Sequence, residues 1–233
     1  MTADAFLKEL DARIAKYDLL SHPFYQAWSK GELTREDLRE YARDYYHHVE
    51  AFPTYLAELG MRLTEGELRR AVLANMCEES GRPTDSGREE RRHSELWLDF
   101  AEGVGANRNF KEQPSEEVGQ LIEFFHLTAG EGTPEEALAA FYAYESQVPK
   151  LAGTKARGLR EWYRADDKTC GYFDLHTTAD VHHAQVWSKQ LEKKIASDEL
   201  AAARALAAGE NAARALWRVL DGFEARRRAG VAA

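Results

Sequence analysis

Tyr172-Phe-Asp-Leu-His176-Thr-Thr-Ala-Asp180-Val-His-His183 is the stretch that says most about the fold and the chemistry of this chain. His176, Asp180 and His183 are spaced i, i+4 and i+7, so on one helix they fall within an arc of roughly 60°. Two imidazoles and a carboxylate on one helix face form a ligand set suited to first-row transition metals. The apolar residues around them suit a buried helix: Ala179, Val181, Ala184 and Val186. The alternative interpretation is a row of solvated polar residues beside a core.

The rest of the sequence predicts an all-α protein. Long segments have a 3.6-residue period, runs of Val, Ile and Thr are few, and there are six prolines in 233 residues. Thr34 and Thr133 each precede an acid by three residues, which predicts two capped helix starts. We expect one domain over residues 1–233, folded as a compact bundle of about seven principal helices. The predicted helical segments are 2–17, 21–30, 34–60, 64–79, 88–104, 115–128, 134–147, 149–164, 168–195 and 198–227.

Composition excludes several classes of function. The chain is 44% hydrophobic and 30% charged, with a formal net charge of -9, which argues against a nucleic-acid partner and against an anionic membrane surface. No apolar run is long enough to span a bilayer, and the N-terminus lacks the apolar core of a signal peptide. Two cysteines, Cys77 and Cys170, form no framework, so a reducing cytoplasm is the expected location and a metal site would use His, Asp and Glu.

Other candidate ligands lie on separate helices. Glu145 shares a helix face with apolar residues, where an unpaired carboxylate is costly. A metal or ammonium ion would remove that cost, and the alternative is a carboxylate at the rim paired with Lys or Arg. His93 lies on another helix. Glu78 and Glu79 are adjacent in the sequence and lie on different faces of a third helix, so we expect at most one of them to point inward.

Several stretches together resemble the chlamydial CADD family, named for association with death domains, within the haem-oxygenase-like di-metal oxidases. The similarity extends from the first helix to about residue 220. The related pyrroloquinoline-quinone-assembly oxidases and thiaminase-like bundles share the fold but fit the ligand pattern less well. The stretches that carry the resemblance are His22-Pro-Phe-Tyr25, Trp28-Ser-Lys-Gly-Glu-Leu-Thr34, Tyr41-Ala-Arg-Asp-Tyr-Tyr-His-His48, Ala51-Phe-Pro-Thr-Tyr-Leu56, Tyr144-Glu-Ser-Gln-Val-Pro149 and Ala179-Asp-Val-His-His183.

The resemblance implies a set of metal ligands for two ions, iron with iron or manganese with iron. An insertion lies between the first two positions, so Glu89 or Glu90 are open alternatives to the first carboxylate, Glu79. The implied ligands are Glu79, His93, Glu145, His176, Asp180 and His183.

The resemblance also implies an oxygen-dependent oxidoreductase that forms 4-aminobenzoate for folate, using molecular oxygen and an external reductant. In this family pattern Tyr25 supplies the aromatic ring, Lys155 supplies the nitrogen, and Tyr41 is the third matching residue. Such a protein would act once per chain, and relatives suggest a possible homodimer. The alternatives are an oxidase acting on a diffusible small molecule and a death-domain-binding partner protein.

Some neighbouring residues have blander interpretations. Local sequence alone favours a solvent-exposed Lys155 at a helix start and simple aromatic packing for Tyr45, Tyr46 and Tyr144. One residue of the pair His47 and His48 lines the pocket while the other faces outward, because adjacent residues on a helix point apart. We expect His182 to be no ligand and Cys77 to lie in the core.

Overall fold

The structure is a computed structural model that describes residues 2–81, 91–195 and 199–231. Within these ranges it contains eleven α-helices, one short 3-10 turn at Leu19–Ser21 and no strand. The all-α prediction is confirmed. The helices are α1 (Ala3–Ala15), α2 (Pro23–Ser29), α3 (Arg35–Arg62), α4 (Glu67–Glu79), α5 (His93–Gly103), α6 (Glu116–Gly130), α7 (Pro134–Glu145), α8 (Val148–Tyr163), α9 (Asp167–His176), α10 (Ala179–Ile195) and α11 (Glu199–Val231).

The helix starts follow the capping signals of the sequence. Thr34 and Thr133 each form a complete capping box, in which the threonine hydroxyl accepts from the third backbone N–H and the acid reaches back. His22 caps α2 by accepting from the backbone N–H of Phe24, and Pro23 occupies the first turn. These caps fix where α2, α3 and α7 begin, and all three helices carry candidate site residues.

The predicted helix 168–195 is wrong in one respect, because it is two helices. α9 ends at His176 and α10 starts at Ala179. The hydroxyls of Thr177 and Thr178 donate to the carbonyls of Asp174 and Leu175, and their backbone N–H groups bond to the same carbonyls. Such local bonds compete with the helical pattern and interrupt it.

α3 and α7 run through the interior of the bundle. α3 packs against α4, α5 and α6, while α11 lies along α7 and also contacts α6 and α1. α9 packs between α5 and α8, and α8 also covers α2. The core is rich in large aromatic side chains, which are fully buried at Trp28, Trp97, Trp187, Tyr41, Tyr55, Phe24, Phe100 and Phe173.

Two expectations about burial are wrong. Cys77 is exposed, because on α4 the inward face carries Val72, Asn75 and Glu79 and the thiol lies on the other side. Val181 is 45% exposed, so only part of the segment around His183 faces the core. No helix in the described ranges is long and apolar enough to cross a membrane.

Candidate metal centre and active site

The six side chains implied as metal ligands lie together in the interior of the bundle. They form two groups that share Glu79, and within each group the candidate ligand atoms lie within 4.8 Å of one another. All six residues are buried. The first group is Glu79, His93 and His176, and the second is Glu79, Glu145, Asp180 and His183.

The two groups divide the sequence stretch that first suggested a metal site. His176 ends α9 and belongs to the first group, whereas Asp180 and His183 are on α10 and belong to the second. The three residues therefore do not form one stripe around one ion, as their spacing alone suggested. The break between α9 and α10 is what separates them.

The first group has the geometry of ligands directed at a common point. Oε2 of Glu79 lies 2.7 Å from Nδ1 of His93, yet this buried nitrogen makes no hydrogen bond of acceptable angle with any described residue. His176 donates from Nδ1 to the carbonyl oxygen of Tyr172 at 2.6 Å, which leaves the lone pair of Nε2 available to a metal ion. A backbone acceptor on the second ring nitrogen is the usual way in which a protein orients a metal-binding histidine.

Glu145 in the second group is 1% exposed and is held by neutral donors. The Asn75 amide donates to its Oε1 at 3.1 Å, and the Trp187 indole N–H donates to its Oε2. His183 Nδ1 lies 3.4 Å from Oε1. Within the described ranges Glu145 has no Lys or Arg partner, so the interpretation as a rim carboxylate is wrong.

His183 is held from two sides. Its Nδ1 faces Asp180 Oδ1 at 3.3 Å, while its Nε2 lies 2.9 Å from the Glu78 carboxylate. Of Glu78 and Glu79, only Glu79 is buried in the centre, as expected. Glu78 is partly exposed, and its carboxylate contacts Nε2 of His183 from the rim of the site.

The electrostatics of the six residues call for cations. Three carboxylates and three histidines share one buried volume. Although burial lowers the pKa of a histidine, the carboxylates of Asp180, Glu145 and Glu78 raise the pKa of His183 to about 11, and Glu79 raises that of His93. The buried carboxylates thus draw positive charge, either from protonated imidazoles or from metal ions, since uncompensated buried charge is strongly unfavourable. Burial, with Glu145 and Glu79 nearby, raises the pKa of Asp180 to about 7 despite the hydrogen bond from His183. Burial and the neighbouring His93 lower the pKa of His176 to about 4, which leaves a neutral imidazole. Mixed oxygen and nitrogen donors of this kind fit two iron or manganese ions.

Tyr25, Tyr41 and Lys155 form a second cluster in the bundle. The hydroxyls of Tyr25 and Tyr41 are 2.9 Å apart, and Lys155 Nζ donates to the Tyr41 hydroxyl at 2.7 Å. The same Nζ lies 4.4 Å from the centroid of the Tyr25 ring. Burial lowers the pKa of Lys155 well below its usual value, and it raises the pKa of both phenols well above theirs. The interpretation of Lys155 as a solvent lysine at a helix start is wrong, since it lies in the middle of α8 and is buried.

Aromatic side chains connect this cluster with the metal-ligand groups. Tyr172 stacks on His176 with ring centroids 4.0 Å apart and meets Trp97 edge-on at 4.8 Å. The ring centroids of Trp97 and Tyr41 are 5.7 Å apart. Tyr45 stacks on Tyr41 with ring centroids 5.3 Å apart and lies 5.4 Å from the Trp97 ring centroid.

Tyr45 and Tyr144 are buried among aromatic rings, whereas the Tyr46 hydroxyl donates to Glu50. His48 is fully buried and His47 lines an outer cleft, as expected for adjacent residues. His182 is exposed and belongs to neither group. The alternative ligands Glu89 and Glu90 lie outside the described residues. Sequence reasoning missed Asn75, Trp187, Trp97 and Tyr172, and only Tyr172 had a local signal, four residues before His176 on one helix face.

Comparison with known proteins identifies the family. Residues 39–218 match the family described as iron-containing redox enzyme. The chain belongs to this family. A 4-aminobenzoate synthase of Chlamydia muridarum is 37% identical over 222 residues, 94% of this chain and 89% of that protein. A 4-aminobenzoate synthase of Nitrosomonas europaea is 35% identical over 236 residues, 96% of this chain and 92% of that protein.

A solved structure agrees with the fold. A domain of unknown function with a heme oxygenase-like fold from Shewanella denitrificans aligns with a TM-score of 0.80 at 19% identity, covering 95% of this chain and 93% of that one. The haem-oxygenase-like fold and the resemblance to the CADD family are thus confirmed. Membership of the iron-containing redox enzyme family makes this protein an oxidoreductase with candidate metal-binding groups in its core.

Proposed function

We propose that this iron-containing redox family member forms 4-aminobenzoate from its own side chains, with Tyr25 as the source of the ring and Lys155 as the source of nitrogen. Molecular oxygen is the oxidant and an external reductant supplies electrons. The observation that carries the proposal is the position of Lys155 Nζ, 4.4 Å from the centroid of the Tyr25 ring inside a closed core. The relatives named 4-aminobenzoate synthase support the choice of product.

The chemical state of Lys155 suits this role. Burial lowers the pKa of its amine well below the usual value, and in the described ranges no carboxylate pairs with Nζ. A neutral amine has a free electron pair, so it can act as a nucleophile toward an oxidised ring. Tyr41 accepts a hydrogen bond from Nζ and also contacts the Tyr25 hydroxyl, which fixes both partners relative to each other.

The metal ions would be held by the two groups that share Glu79. When bound, they would supply redox chemistry toward oxygen and a nearby phenol. The chain's own residues place that phenol close to the site. His176 stacks on Tyr172, and Trp97 spans the remaining distance from Tyr172 to Tyr41. Edge-on and stacked rings at these separations provide a contiguous route for an electron that leaves Tyr25.

The size of the cavity favours an internal substrate over a diffusible one. The space lined by Tyr25, Lys155 and Tyr172 has a volume of about 30 Å³. Pockets that bind small organic molecules are usually about 300 Å³ or more. An aromatic substrate from solution therefore does not fit beside Lys155, whereas the Tyr25 ring is already there.

The test is isotope tracing. Protein labelled with ¹³C in the tyrosine ring and ¹⁵N in the lysine side chain is loaded with iron and manganese, reduced and exposed to oxygen. We expect 4-aminobenzoate that carries both labels, together with mass changes in the peptides that contain Tyr25 and Lys155. Tyr25→Phe and Lys155→Met should remove the product.

Matched controls separate the site from general damage. Tyr46→Phe and Lys150→Met change one residue of each type away from the cluster, and both should retain the product. Unlabelled 4-aminobenzoate from labelled protein, or sustained turnover with unchanged protein mass, would show that the substrate diffuses in and would favour the alternative oxidase.

A further inference from the structure

His48 is a buried histidine that the proposed chemistry has not yet used. It lies on α3 and is 0% exposed, and within residues 2–81, 91–195 and 199–231 its Nε2 has no hydrogen-bond partner. A buried polar atom without a partner is costly, so such an atom needs an explanation, and a function supplies one. Burial lowers the pKa of His48 to about 3, and the nearby Glu79 offsets this only in part. The ring is therefore a neutral imidazole with one nitrogen available as an acceptor.

The ring of His48 packs against two buried tyrosines. Its centroid lies 5.1 Å from that of Tyr144 and 5.3 Å from that of Tyr45, with both contacts edge-on. The imidazole therefore lies directly beside both phenol rings. Lys155 Nζ lies 4.4 Å from the centroid of the Tyr25 ring and 5.9 Å from that of Tyr45, whereas His48 packs on the rings of Tyr45 and Tyr144.

The other nitrogen of His48 begins a series of contacts toward the surface. Nδ1 lies 3.4 Å from the Tyr55 hydroxyl. The Tyr55 ring meets the His126 ring edge-on at 4.7 Å, and His126 Nδ1 lies 2.8 Å from the Glu58 carboxylate. His126 and Glu58 are partly exposed, at 37% and 32%. These four residues lead from the buried tyrosines to solvent.

We propose that His48 is the proton acceptor for Tyr45, the buried phenol against which its ring packs, and that Tyr55 holds the other nitrogen of His48 in place. The inference rests on the proposed function, which supplies the oxidised metal centre as electron acceptor. When Tyr45 loses an electron, its phenolic O–H bond breaks. The proton goes to Nε2, which leaves a neutral tyrosyl radical and an imidazolium whose Nδ1–H is donated to the Tyr55 oxygen. A phenol that has lost an electron is a strong acid, so even a weakly basic imidazole accepts its proton.

The first test needs no metal. Nitrogen-15 NMR of the histidine rings in metal-free protein reports which nitrogen of His48 carries hydrogen, with His48→Gln giving the assignment. We expect Nδ1–H, donated to the Tyr55 oxygen, and a bare Nε2. Hydrogen on Nε2 would overturn the assignment of this atom as acceptor, whatever the outcome of the oxidation experiments.

The second test follows tyrosine oxidation itself. Metal-loaded, reduced protein is mixed with oxygen, frozen at intervals and examined by electron paramagnetic resonance for tyrosyl radical, with metal content and thermal unfolding measured in parallel. His48→Gln should lower the rate of radical formation at least tenfold at unchanged metal content. His47→Gln is the matched control, one residue away on the outer face of α3, and should match wild type.

The outcomes separate the two proposals. A wild-type radical rate in fully loaded His48→Gln protein refutes the role of His48 while leaving the 4-aminobenzoate proposal intact. Absence of any tyrosine oxidation or isotope transfer in wild-type protein refutes the proposed function, and the NMR result then decides alone whether His48 presents a free acceptor.

Discussion

Replacing Lys155 by methionine tests whether the amine is neutral in the folded protein. Methionine has similar length and no charge, so it keeps the packing against Tyr25 and Trp28 while removing the titratable group. Burial lowers the pKa of Lys155 well below the ordinary 10.5. In the range between the folded and the unfolded pKa, the unfolded chain carries one more proton at this position than the folded protein.

The sign and size of the effect follow from linkage. With one extra proton in the unfolded state, the free energy of unfolding of the wild type rises with pH by about 1.4 kcal/mol per unit. The Lys155→Met variant lacks this contribution. The free energy of unfolding of the variant relative to the wild type should therefore fall by about 1.4 kcal/mol per pH unit between the folded and the unfolded pKa, and the difference should level off as pH passes the unfolded pKa.

The assay is urea unfolding of metal-free protein at several pH values, because metal binding would add its own proton linkage. The difference between the two proteins cancels all other titrating groups. Lys150→Met is the matched control, since Lys150 is exposed on the same helix and should give parallel curves. Parallel curves for Lys155→Met as well would mean that Lys155 is charged when folded, and the nucleophile argument would be refuted.

Three further predictions concern the metal groups and the packing of the bundle. Glu79→Gln should lower metal occupancy at both positions, whereas Asp180→Asn should lower it at one, because of these two residues Glu79 alone belongs to both groups. Metal content is measured after dialysis, and equal losses from the two variants would contradict the division into two groups. Trp187→Phe removes a hydrogen bond to a candidate ligand and should weaken metal binding about 10- to 100-fold in chelator competition, and unchanged affinity would count against its positioning role. Gly103→Ala should destabilise the protein by about 1–3 kcal/mol in urea because its Cβ would overlap a threonine side chain, while Gly119→Ala, with open space around it, should be neutral or stabilising.

The sequence predicted the helices well where capping residues mark their starts. It failed at Thr177 and Thr178, because their propensities are compatible with a helix and the break depends on which carbonyls their hydroxyls reach. Because the break between α9 and α10 was missed, His176, Asp180 and His183 were expected to form one stripe, whereas they belong to two ligand groups. The division of the six ligands into two groups depends on helices that are distant in the chain, so no local sequence pattern predicts it.

The burial of Lys155 was predictable from a pattern that the sequence does contain. Leu151, Lys155 and Leu159 are spaced by four, so the lysine lies in the centre of an apolar stripe, with Ala152 and Ala156 beside it. The expectation of an exposed Lys155 came from Gly153 and Thr154, which precede it and resemble a helix start. The partners of Glu145 are different, because Asn75 and Trp187 lie on α4 and α10 and their approach is a property of the fold alone.

The molecule separates charge from aromatic chemistry, and the proposed function depends on that separation. Three carboxylates and three histidines are confined to the metal-ligand groups, while the space around Tyr25 and Lys155 is lined by rings and aliphatic side chains. A carboxylate beside Lys155 would stabilise its ammonium form and remove the nucleophile. Tyr172 stands between the two regions, stacked on His176 on one side and facing the small cavity on the other. An aromatic ring at this position separates the charged groups from Lys155. It can also transfer an electron, whereas an aliphatic residue of similar size could not.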